Sequence, residues 1–403
     1  APAGPLIEES AAPLTDVTLP PLVTAPGATV QQQDIFAAPS GRDITVLGPL
    51  SPAAGGYGPA IWTGSDGRFV TALARKVEAP IASRWAAIVL RRALLSESVA
   101  PAGVNPGDWV AARALLLLRI GEIDGAKRLV DAVPVDRYTP DLYRISAQVS
   151  LTAADIGGLC PIAATGRLLI KQPVWDLAHG MCAAIQGDDI TAAQIFDTLR
   201  DDDARIDPFD VRLGERVATI AGGAGRATNI EWAEAPPLTV YRYGVATAAG
   251  VTVPAERLAP LGPARFGWLV RSPGVAAETR LTMLRDATAI GTMSVAELVS
   301  AVAALTPTDN AGGYPADSRA GRLRAAFSGS ADARRQAIAA IRSDTAQGGD
   351  SYGALLESAL ASARLPVSDA AAADAPDIIA ALLAGGLADQ AQRWWPVADR
   401  AGG

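Results

Sequence analysis

Two cysteines and a single histidine are the residues of this chain best suited to metal or redox chemistry. They are Cys160, His179 and Cys182, and His179 lies three residues before Cys182, on one helix face. Zinc takes such ligands, but a structural site needs four of them, usually in closely spaced pairs, and no Cys-x-x-Cys pair is present. We therefore expect no metal and predict a disulfide between Cys160 and Cys182, which would add roughly 3 kcal/mol of stability. Two buried thiols, acting as small hydrophobic groups, are the alternative.

A run of acidic residues at 201–203, followed by Asp207 and Asp210, could suggest a site for a hard cation. An EF-hand loop has glycine at its sixth position and glutamate at its twelfth. Counted from residue 201, those positions hold Ile206 and Arg212. The acidic run is therefore interpreted as a solvated loop.

The glycine-rich stretch 222–225 resembles a phosphate-binding loop but lacks the Gly-Lys-Ser/Thr ending that contacts nucleotide phosphates. No Gly-x-Ser-x-Gly nucleophile motif is present. A single histidine also excludes most acid–base schemes that depend on imidazole. The sequence therefore assembles no catalytic site and predicts a protein that is not an enzyme and holds no cofactor.

The chain instead repeats a spacing of aromatic, glycine and alanine residues. In two full copies a tryptophan is followed by glycine 12 residues later and by alanine 17 residues later. The copies lie 66 residues apart, about twice the 34-residue period of a tetratricopeptide helix pair. Two further aromatic residues continue the series at spacings of 34, 32 and 34. The repeat positions are Trp109, Gly121, Ala126, Tyr143, Trp175, Gly187, Ala192 and Phe209.

This spacing is typical of a helix hairpin. The aromatic residue is buried on the first helix, the glycine adopts the left-handed turn, and the alanine allows close approach of the second helix. We predict that Asp124 and Asp189 cap the second helices, because aspartate accepts the free amides of a helix start. The glycine and alanine offsets recur in part after Gly291 and after Gly386.

Residues 1–75 differ from the rest because proline and glycine are dense. They predict an extended arm that docks on the helical body or on a partner through apolar clusters at 19–23 and 44–50, with plain disorder as the alternative. Strands are expected only at 43–46 and 69–71, and residues 61–77 are expected to form a turn followed by a helix, with Ser65 and Asp66 as the cap. The repeats at 76–220 and a C-terminal helical region at 221–403, irregular at its start, complete the predicted domains.

Composition narrows the possible partners. A net charge of −7 and a pI near 5.0 argue against a nucleic-acid binder, which needs a basic face. No apolar run reaches the roughly 18 residues of a membrane-spanning helix. The first residues, Ala-Pro-Ala-Gly, fit an exported protein whose signal peptide has been removed, and the even number of cysteines agrees with the periplasm.

With these copies, residues 106–220, and more weakly 280–400, resemble the tetratricopeptide-like α-solenoids, although the Leu-Gly step and the closing proline of that repeat are not regularly present. The stretch 62–67, followed by 85–95 and the cysteine-containing hairpins, is similar to exported, alanine-rich helical-repeat proteins of α-proteobacteria. The resemblance implies an all-α, right-handed solenoid of helix hairpins. It also implies that the concave face binds other proteins.

The sequence therefore favours a non-enzymatic binding or scaffold subunit of a periplasmic assembly, for which a flagellar or pilus apparatus is one possible setting. Its partners would be other proteins or further copies of the chain. Two alternatives stay open. A helical hydrolase would use 221–280 as a catalytic insert, and a glycan-binding protein would need exposed aromatic residues along one groove.

Overall fold

Almost all regular structure in this chain is helical, as the spacing of its apolar residues predicts. The structure, a computed structural model, describes residues 44–202, 206–222, 229–233, 235–272, 274–306, 314–344 and 351–400. These residues belong to one unit, Asp43–Gly403. The predicted apolar cluster at 19–23 lies outside the described residues.

The described residues confirm the all-α class. Two short strands, β1 (Val46–Leu47) and β2 (Ser98–Val99), pair in antiparallel fashion. The nineteen α-helices found in the described ranges are α1 (Gly67–Lys76), α2 (Arg84–Leu95), α3 (Pro106–Arg119), α4 (Ile123–Asp131), α5 (Pro140–Thr152), α6 (Cys160–Leu169), α7 (Pro173–Ile185), α8 (Asp189–Asp202), α9 (Pro208–Gly222), α10 (Val240–Ala248), α11 (Arg265–Arg271), α12 (Ala277–Ala289), α13 (Val295–Leu305), α14 (Arg319–Phe327), α15 (Ala331–Ser343), α16 (Ser351–Ser362), α17 (Ala375–Ala384), α18 (Ala388–Gln392) and α19 (Trp395–Arg400).

The first helix begins where the sequence predicts. Asp66 caps α1, and its Oδ1 accepts a hydrogen bond from the backbone N–H of Phe69 at 3.0 Å. The strand expected at 69–71 is wrong, because these residues lie inside α1. The β-branched and aromatic residues there suggested a strand, but the cap fixes the helical conformation from residue 67 onwards.

Helix hairpins along the chain share one kind of turn. After α3, the N–H of Glu122 donates to the C=O of Leu117 (2.8 Å) and that of Gly121 to Leu118 (3.0 Å), which is the Schellman pattern. The same pattern recurs after α5, α7, α10, α12 and α17. The left-handed residues of these turns are Gly121, Ala154, Gly187, Gly250, Gly291 and Gly386, with φ between +54° and +87°.

This turn also corrects the predicted helix caps. Asp124 and Asp189 do not cap α4 and α8 but lie in their first turns. The caps are Glu122 and Asp188, whose carboxylates each accept from the backbone N–H three residues later, at 3.0 Å and 3.1 Å. Because the turn is so short, the residue whose N–H makes the last hydrogen bond of the turn also caps the next helix.

The two full copies bury equivalent residues. Trp109 is 2% exposed and Trp175 is 0% exposed, and both alanines of the repeat are fully buried. Tyr143 packs edge-on against Trp175 with ring centroids 6.2 Å apart. Phe209, the last aromatic residue of the series, packs against Trp232 at 5.4 Å. The aromatic series therefore forms part of the hydrophobic core.

The partial copies match less well. After Gly291, the alanine at the repeat offset, Ala296, is exposed, and its neighbours Val295 and Leu298 are buried instead. The sequence offsets there do not reproduce the packing of the full copies. After Gly386, in contrast, Ala391 is fully buried, as the repeat predicts.

A buried arginine fixes the segment before α1 to the helices. Arg113 of α3 is fully buried, and it donates to the carbonyl groups of Leu47 (2.9 Å), Leu94 (2.6 Å) and Ser96 (2.7 Å). Burial lowers the pKa of Arg113 to about 9. The β1 part of the predicted apolar cluster at 44–50 is thus held against α2 and α3.

Helix α2 crosses the turns of three hairpins. Arg91 pairs with Glu122 at 3.0 Å, beside the α3–α4 turn. Arg84 donates to carbonyl groups at the C-terminal ends of α12 (2.9 Å) and α17 (3.4 Å). The Trp85 ring lies against the α17–α18 turn, where a Cβ on Gly386 would come within 2.7 Å of it. Early and late hairpins therefore contact the same helix.

The C-terminal helices share a buried ionic network. Glu357 of α16 is fully buried and accepts from Arg285 of α12 at 2.6 Å and from Arg319 of α14 at 2.8 Å. Both arginines also donate to backbone carbonyl groups. Three helices are thereby joined through one carboxylate.

Residues 235–272, in the region that the sequence predicts to be irregular, fold back onto α3 and α5. We call them the covering segment. A Cβ at Gly244 of α10 would come within 2.0 Å of the Leu151 carbonyl oxygen of α5. A Cβ at Gly267 of α11 would come within 2.2 Å of the Gly121 carbonyl oxygen after α3. Only glycine permits such backbone contact. The chain itself therefore covers part of the surface that α3 and α5 form.

Candidate binding cleft

A cleft of about 620 Å³ opens over the part of α3 and α5 that residues 235–272, the covering segment, do not cover. Its volume falls within the roughly 300–1,000 Å³ of typical ligand sites. The floor comes from α3 and α5, one wall from the end of α1, and the opposite wall from the segment before and within α11. The lining residues are Arg75, Lys76, Val77, Glu78, Ala79, Leu115, Leu118, Arg119, Gln148, Thr152, Val240, Leu261, Gly262, Pro263, Ala264 and Trp268.

Helical spacing places the floor residues side by side. Leu115, Leu118 and Arg119 are three and four residues apart on α3, and Gln148 and Thr152 are four apart on α5. Residues at these separations share one face of a helix. The floor is therefore apolar towards α3 and polar towards α5.

The opposite wall is fixed by an aromatic anchor. Trp268 is 7% exposed, and its indole N–H donates to the Leu118 carbonyl oxygen at 3.2 Å. A hydrogen bond from a buried indole satisfies the polar atom and fixes the ring orientation. The segment 261–268 is thereby fixed to the end of α3.

Arg119 joins the floor to the wall formed by α1. Its guanidinium donates to the carbonyl oxygens of Arg75 and Val77, the latter at 3.3 Å. These carbonyl groups lie at the end of α1, where helix oxygens lack intrahelical partners and a cation is favourable. Arg119 therefore holds the α1 wall in place and brings positive charge to the cleft.

The rim of the cleft carries an excess of positive charge. Arg75 pairs with Asp141 at 2.5 Å, and this hydrogen bond lowers the pKa of Asp141 below its ordinary value. Lys76 and Glu78 are exposed, and neither forms a hydrogen bond or ion pair with a described residue. Two cations, Lys76 and Arg119, therefore face one unpaired carboxylate.

Few of the lining residues titrate near neutral pH. They include no histidine and no cysteine, and Glu78 is their only carboxylate. General acid–base catalysis usually needs two positioned groups of matched pKa. The cleft offers apolar, amide and hydroxyl groups on its floor and cationic groups around it.

The disulfide predicted from the sequence is present. Cys160 and Cys182 are bonded, with Cα atoms 5.4 Å apart, and the bridge joins the start of α6 to α7. His179 lines a groove of about 200 Å³ together with the Arg167–Asp176 ion pair of 2.7 Å. Within the described ranges, no group of three or more metal-ligating side chains was found.

The acidic run is only partly solvated. Asp210 pairs with Arg242 of α10 at 2.6 Å, and Asp207 lies 3.6 Å from the same guanidinium. Burial raises the pKa of Asp210 above its ordinary value. The solvated-loop prediction is wrong for Asp210, which lies inside α9 and is held by Arg242 because α10 folds back onto α9, whereas the Asp207 side chain stays 38% exposed. Residues 203–205 and 223–228 lie outside the described residues, and with them most of the predicted glycine-rich loop.

None of the cleft residues was among the predicted site residues. They come from separate segments, and the pieces at 77–79 and 261–264 follow no helical or strand period. One signal was available. Residues 67–76 carry Arg68, Arg75 and Lys76 and no acidic residue, whereas the whole chain has more acidic than basic residues.

Comparison of the chain with protein-family models, curated proteins and solved structures found no match. Among the helices described, none has the length and apolar character needed to cross a membrane. The Cys160–Cys182 disulfide is compatible with an extracellular or periplasmic location, because disulfides persist in oxidising compartments.

Proposed function

We propose that the protein is a non-enzymatic binding subunit of a bacterial envelope assembly, and that its cleft holds a short segment of another protein. In this proposal the helix hairpins form a right-handed, tetratricopeptide-like solenoid that follows the Pro/Gly-rich N-terminal arm. The observation that carries the proposal is the cleft of about 620 Å³, whose floor is apolar at Leu115 and Leu118 and polar at Gln148 and Thr152, with cations at its rim.

The repeated turns support the solenoid interpretation. Schellman turns follow α3, α5 and α7, and the tryptophans of the two full copies are buried equivalently. Tetratricopeptide-like proteins, which the chain resembles, usually bind other proteins on a concave face. The cleft is a concave surface whose floor belongs to α3 and α5, the first helices of two hairpins. The disulfide supports a periplasmic setting, where a flagellar or pilus apparatus would be a suitable user.

The cleft lining is less favourable to the two alternative functions. From the described part of residues 221–280, which a hydrolase would use as its catalytic insert, the cleft receives only Val240, Trp268 and residues 261–264, none of which titrates. A glycan site would need exposed aromatic rings. The only aromatic residue in the lining is Trp268, whose ring is buried.

A random peptide library displayed on phage tests the proposal. The library is selected on the purified chain, on Gln148→Trp and on Gln336→Trp. Gln148 is exposed at the cleft floor, so tryptophan there fills the cleft without disturbing the core. Gln336 is an exposed residue of α15 that does not line the cleft and serves as a matched control.

We expect peptides to be enriched on the wild type and on Gln336→Trp, and to be lost on Gln148→Trp. Enrichment on all three proteins would place binding elsewhere. No enrichment on any of them would refute a peptide-binding cleft. Thermal unfolding of each variant confirms that the fold is intact.

A further inference from the structure

Two exposed apolar residues on the outer face of α1 precede the cleft along the same face of the helix. Phe69 is 66% exposed and Leu73 is 50% exposed, and they lie four residues apart on one helix face. Lys76, three residues further on the same face, lines the cleft. We call Phe69, Leu73 and Lys76 the α1 strip. It leads from solvent directly to the rim.

Helix α1 turns its smaller apolar residues to the core and its two largest to solvent. Gly67 and Ala74 are buried and Val70 packs against the core, and a Cβ on Gly67 would come within 2.4 Å of the Ala102 carbonyl oxygen. The largest apolar residues of the helix, Phe69 and Leu73, point to solvent. A helix of a globular protein normally turns such residues towards the core. Adjacent exposed apolar residues of this size beside a cleft indicate a contact surface.

The charges around the strip select the partner. Helix α1 carries Arg68, Arg75 and Lys76 and no acidic residue. Together with Arg119, these make four cations around the strip and rim, against the three carboxylates of Asp66, Glu78 and Asp141, so the local net charge is +1. The whole chain has a net charge of −7. Because salt screens exposed charges beyond about 8–10 Å, the local cations outweigh the distant negative charge. The strip and rim therefore attract an acidic group.

Resting on the proposed function, we propose that the occupant is an extended, acidic segment of a partner protein. One apolar side chain packs on Phe69 and Leu73, an acidic side chain pairs with Lys76 and Arg119, and a second apolar side chain enters the cleft. From Phe69 to Lys76 the helix rises about 10 Å. An extended chain covers this distance in about three residues. The recognised pattern is therefore apolar-x-x-acidic, followed by an apolar residue.

An anionic membrane surface is the competing occupant of a cationic helix with exposed Phe and Leu. The peptide is favoured because the strip ends in a concave cleft of about 620 Å³. A flat bilayer could cover the strip but would leave the cleft unfilled.

Two pools of labelled hexapeptides test the inference by fluorescence anisotropy. Both have Leu or Phe at the first and sixth positions; the first pool has Glu at the fourth position and the second has Gln. We expect the Glu pool to bind about two- to fivefold more tightly, the range set by an exposed ion pair. Lys76→Gln should reduce this preference, because Arg119 remains, and Lys76→Glu should abolish it. Lys171→Glu, at another exposed lysine, should leave it unchanged.

The paired substitution Phe69→Ser/Leu73→Ser should weaken the binding of both pools at least severalfold. Both side chains are mostly exposed, so the variant keeps its fold, which thermal unfolding verifies. Co-sedimentation with vesicles of phosphatidylglycerol and phosphatidylethanolamine tests the alternative that the strip binds a membrane.

The outcomes separate the two proposals. Equal binding of the Glu and Gln pools, lost on Gln148→Trp, would overturn the acidic segment while the cleft proposal stands. Binding of both pools that survives Gln148→Trp, or no binding at all, would remove the cleft proposal and this inference together. Sedimentation with vesicles that requires Phe69, without competition from the Glu pool, would make the strip a membrane contact and refute the inference.

Discussion

Replacing Ala154 by glycine should stabilise the protein, whereas replacing Gly187 by alanine should destabilise it. Both residues close a Schellman turn in the left-handed conformation, with φ of +54° and +81°. Ala154 is the only non-glycine residue with positive φ among the described residues. The opposite signs follow from one cause, the contact between a Cβ and the carbonyl oxygen of a left-handed residue.

The magnitudes can be worked out separately at each turn. Left-handed alanine costs roughly 1–2 kcal/mol, and glycine loses roughly 0.5–1 kcal/mol more conformational entropy on folding. Ala154→Gly should therefore raise the free energy of unfolding by about 0.5–1 kcal/mol. At Gly187 nothing lies within 4 Å of an added Cβ, so the only cost of alanine there is that of its left-handed backbone conformation. Gly187→Ala should lower the free energy of unfolding by a similar amount.

Gly121 provides an internal comparison. An added Cβ there would lie 3.0 Å from both the Ala264 oxygen and the Thr292 Cγ2, so steric crowding adds to the backbone cost. Gly121→Ala should thus be more destabilising than Gly187→Ala. Urea unfolding of the variants, with unchanged slopes, gives the free energies directly. A destabilised Ala154→Gly, or a neutral Gly187→Ala, would refute the reasoning.

The remaining predictions concern the core and its charges. Trp175→Ala should cost roughly 3–5 kcal/mol. Trp175→Phe should cost much less in the same urea assay, because the buried indole N–H finds no hydrogen-bond acceptor in the described part of the chain. Glu357→Gln should cost roughly 3–5 kcal/mol by leaving two buried arginines without their carboxylate; a cost below 1 kcal/mol would contradict this. Removing the disulfide by replacing Cys160 and Cys182 with alanine should cost about 3 kcal/mol, a fall in Tm of about 4 °C for a chain of this size. The pKa of Asp141 is lowered in the folded state, so its contribution, below about 1 kcal/mol at an exposed site, is present above about pH 4 and lost as the pH falls through the folded pKa. The stability difference between wild type and Asp141→Asn should accordingly vanish in acid titrations.

The local parts of this fold could be predicted from the sequence. The tryptophan, glycine and alanine offsets located the hairpins, because they reflect contacts within one helix pair. The disulfide also followed from the hairpin order. The caps were misplaced by one or two residues, since the Schellman turn merges the end of one helix with the start of the next.

The cleft could not be predicted, because it depends on a segment that returns to distant helices. Gly244 and Gly267 allow that return through backbone contact, yet nothing in the sequence marks them apart from other glycines. Arg242 likewise pairs with an aspartate 32 residues earlier. Such contacts have no period along the chain, so pattern analysis does not detect them.

The position of α2 has a consequence for how the protein folds. Arg84 donates hydrogen bonds to residues 204 and 300 positions further along the chain. A row of stacked hairpins can fold and unfold piecewise, because each hairpin contacts only its neighbours. A helix shared by the first and last hairpins removes that independence, so the end hairpins cannot fray without breaking contacts at the beginning. Folding then includes the closure of a very long loop, which slows it, and newly synthesised α2 must wait for α17 before its own contacts are complete.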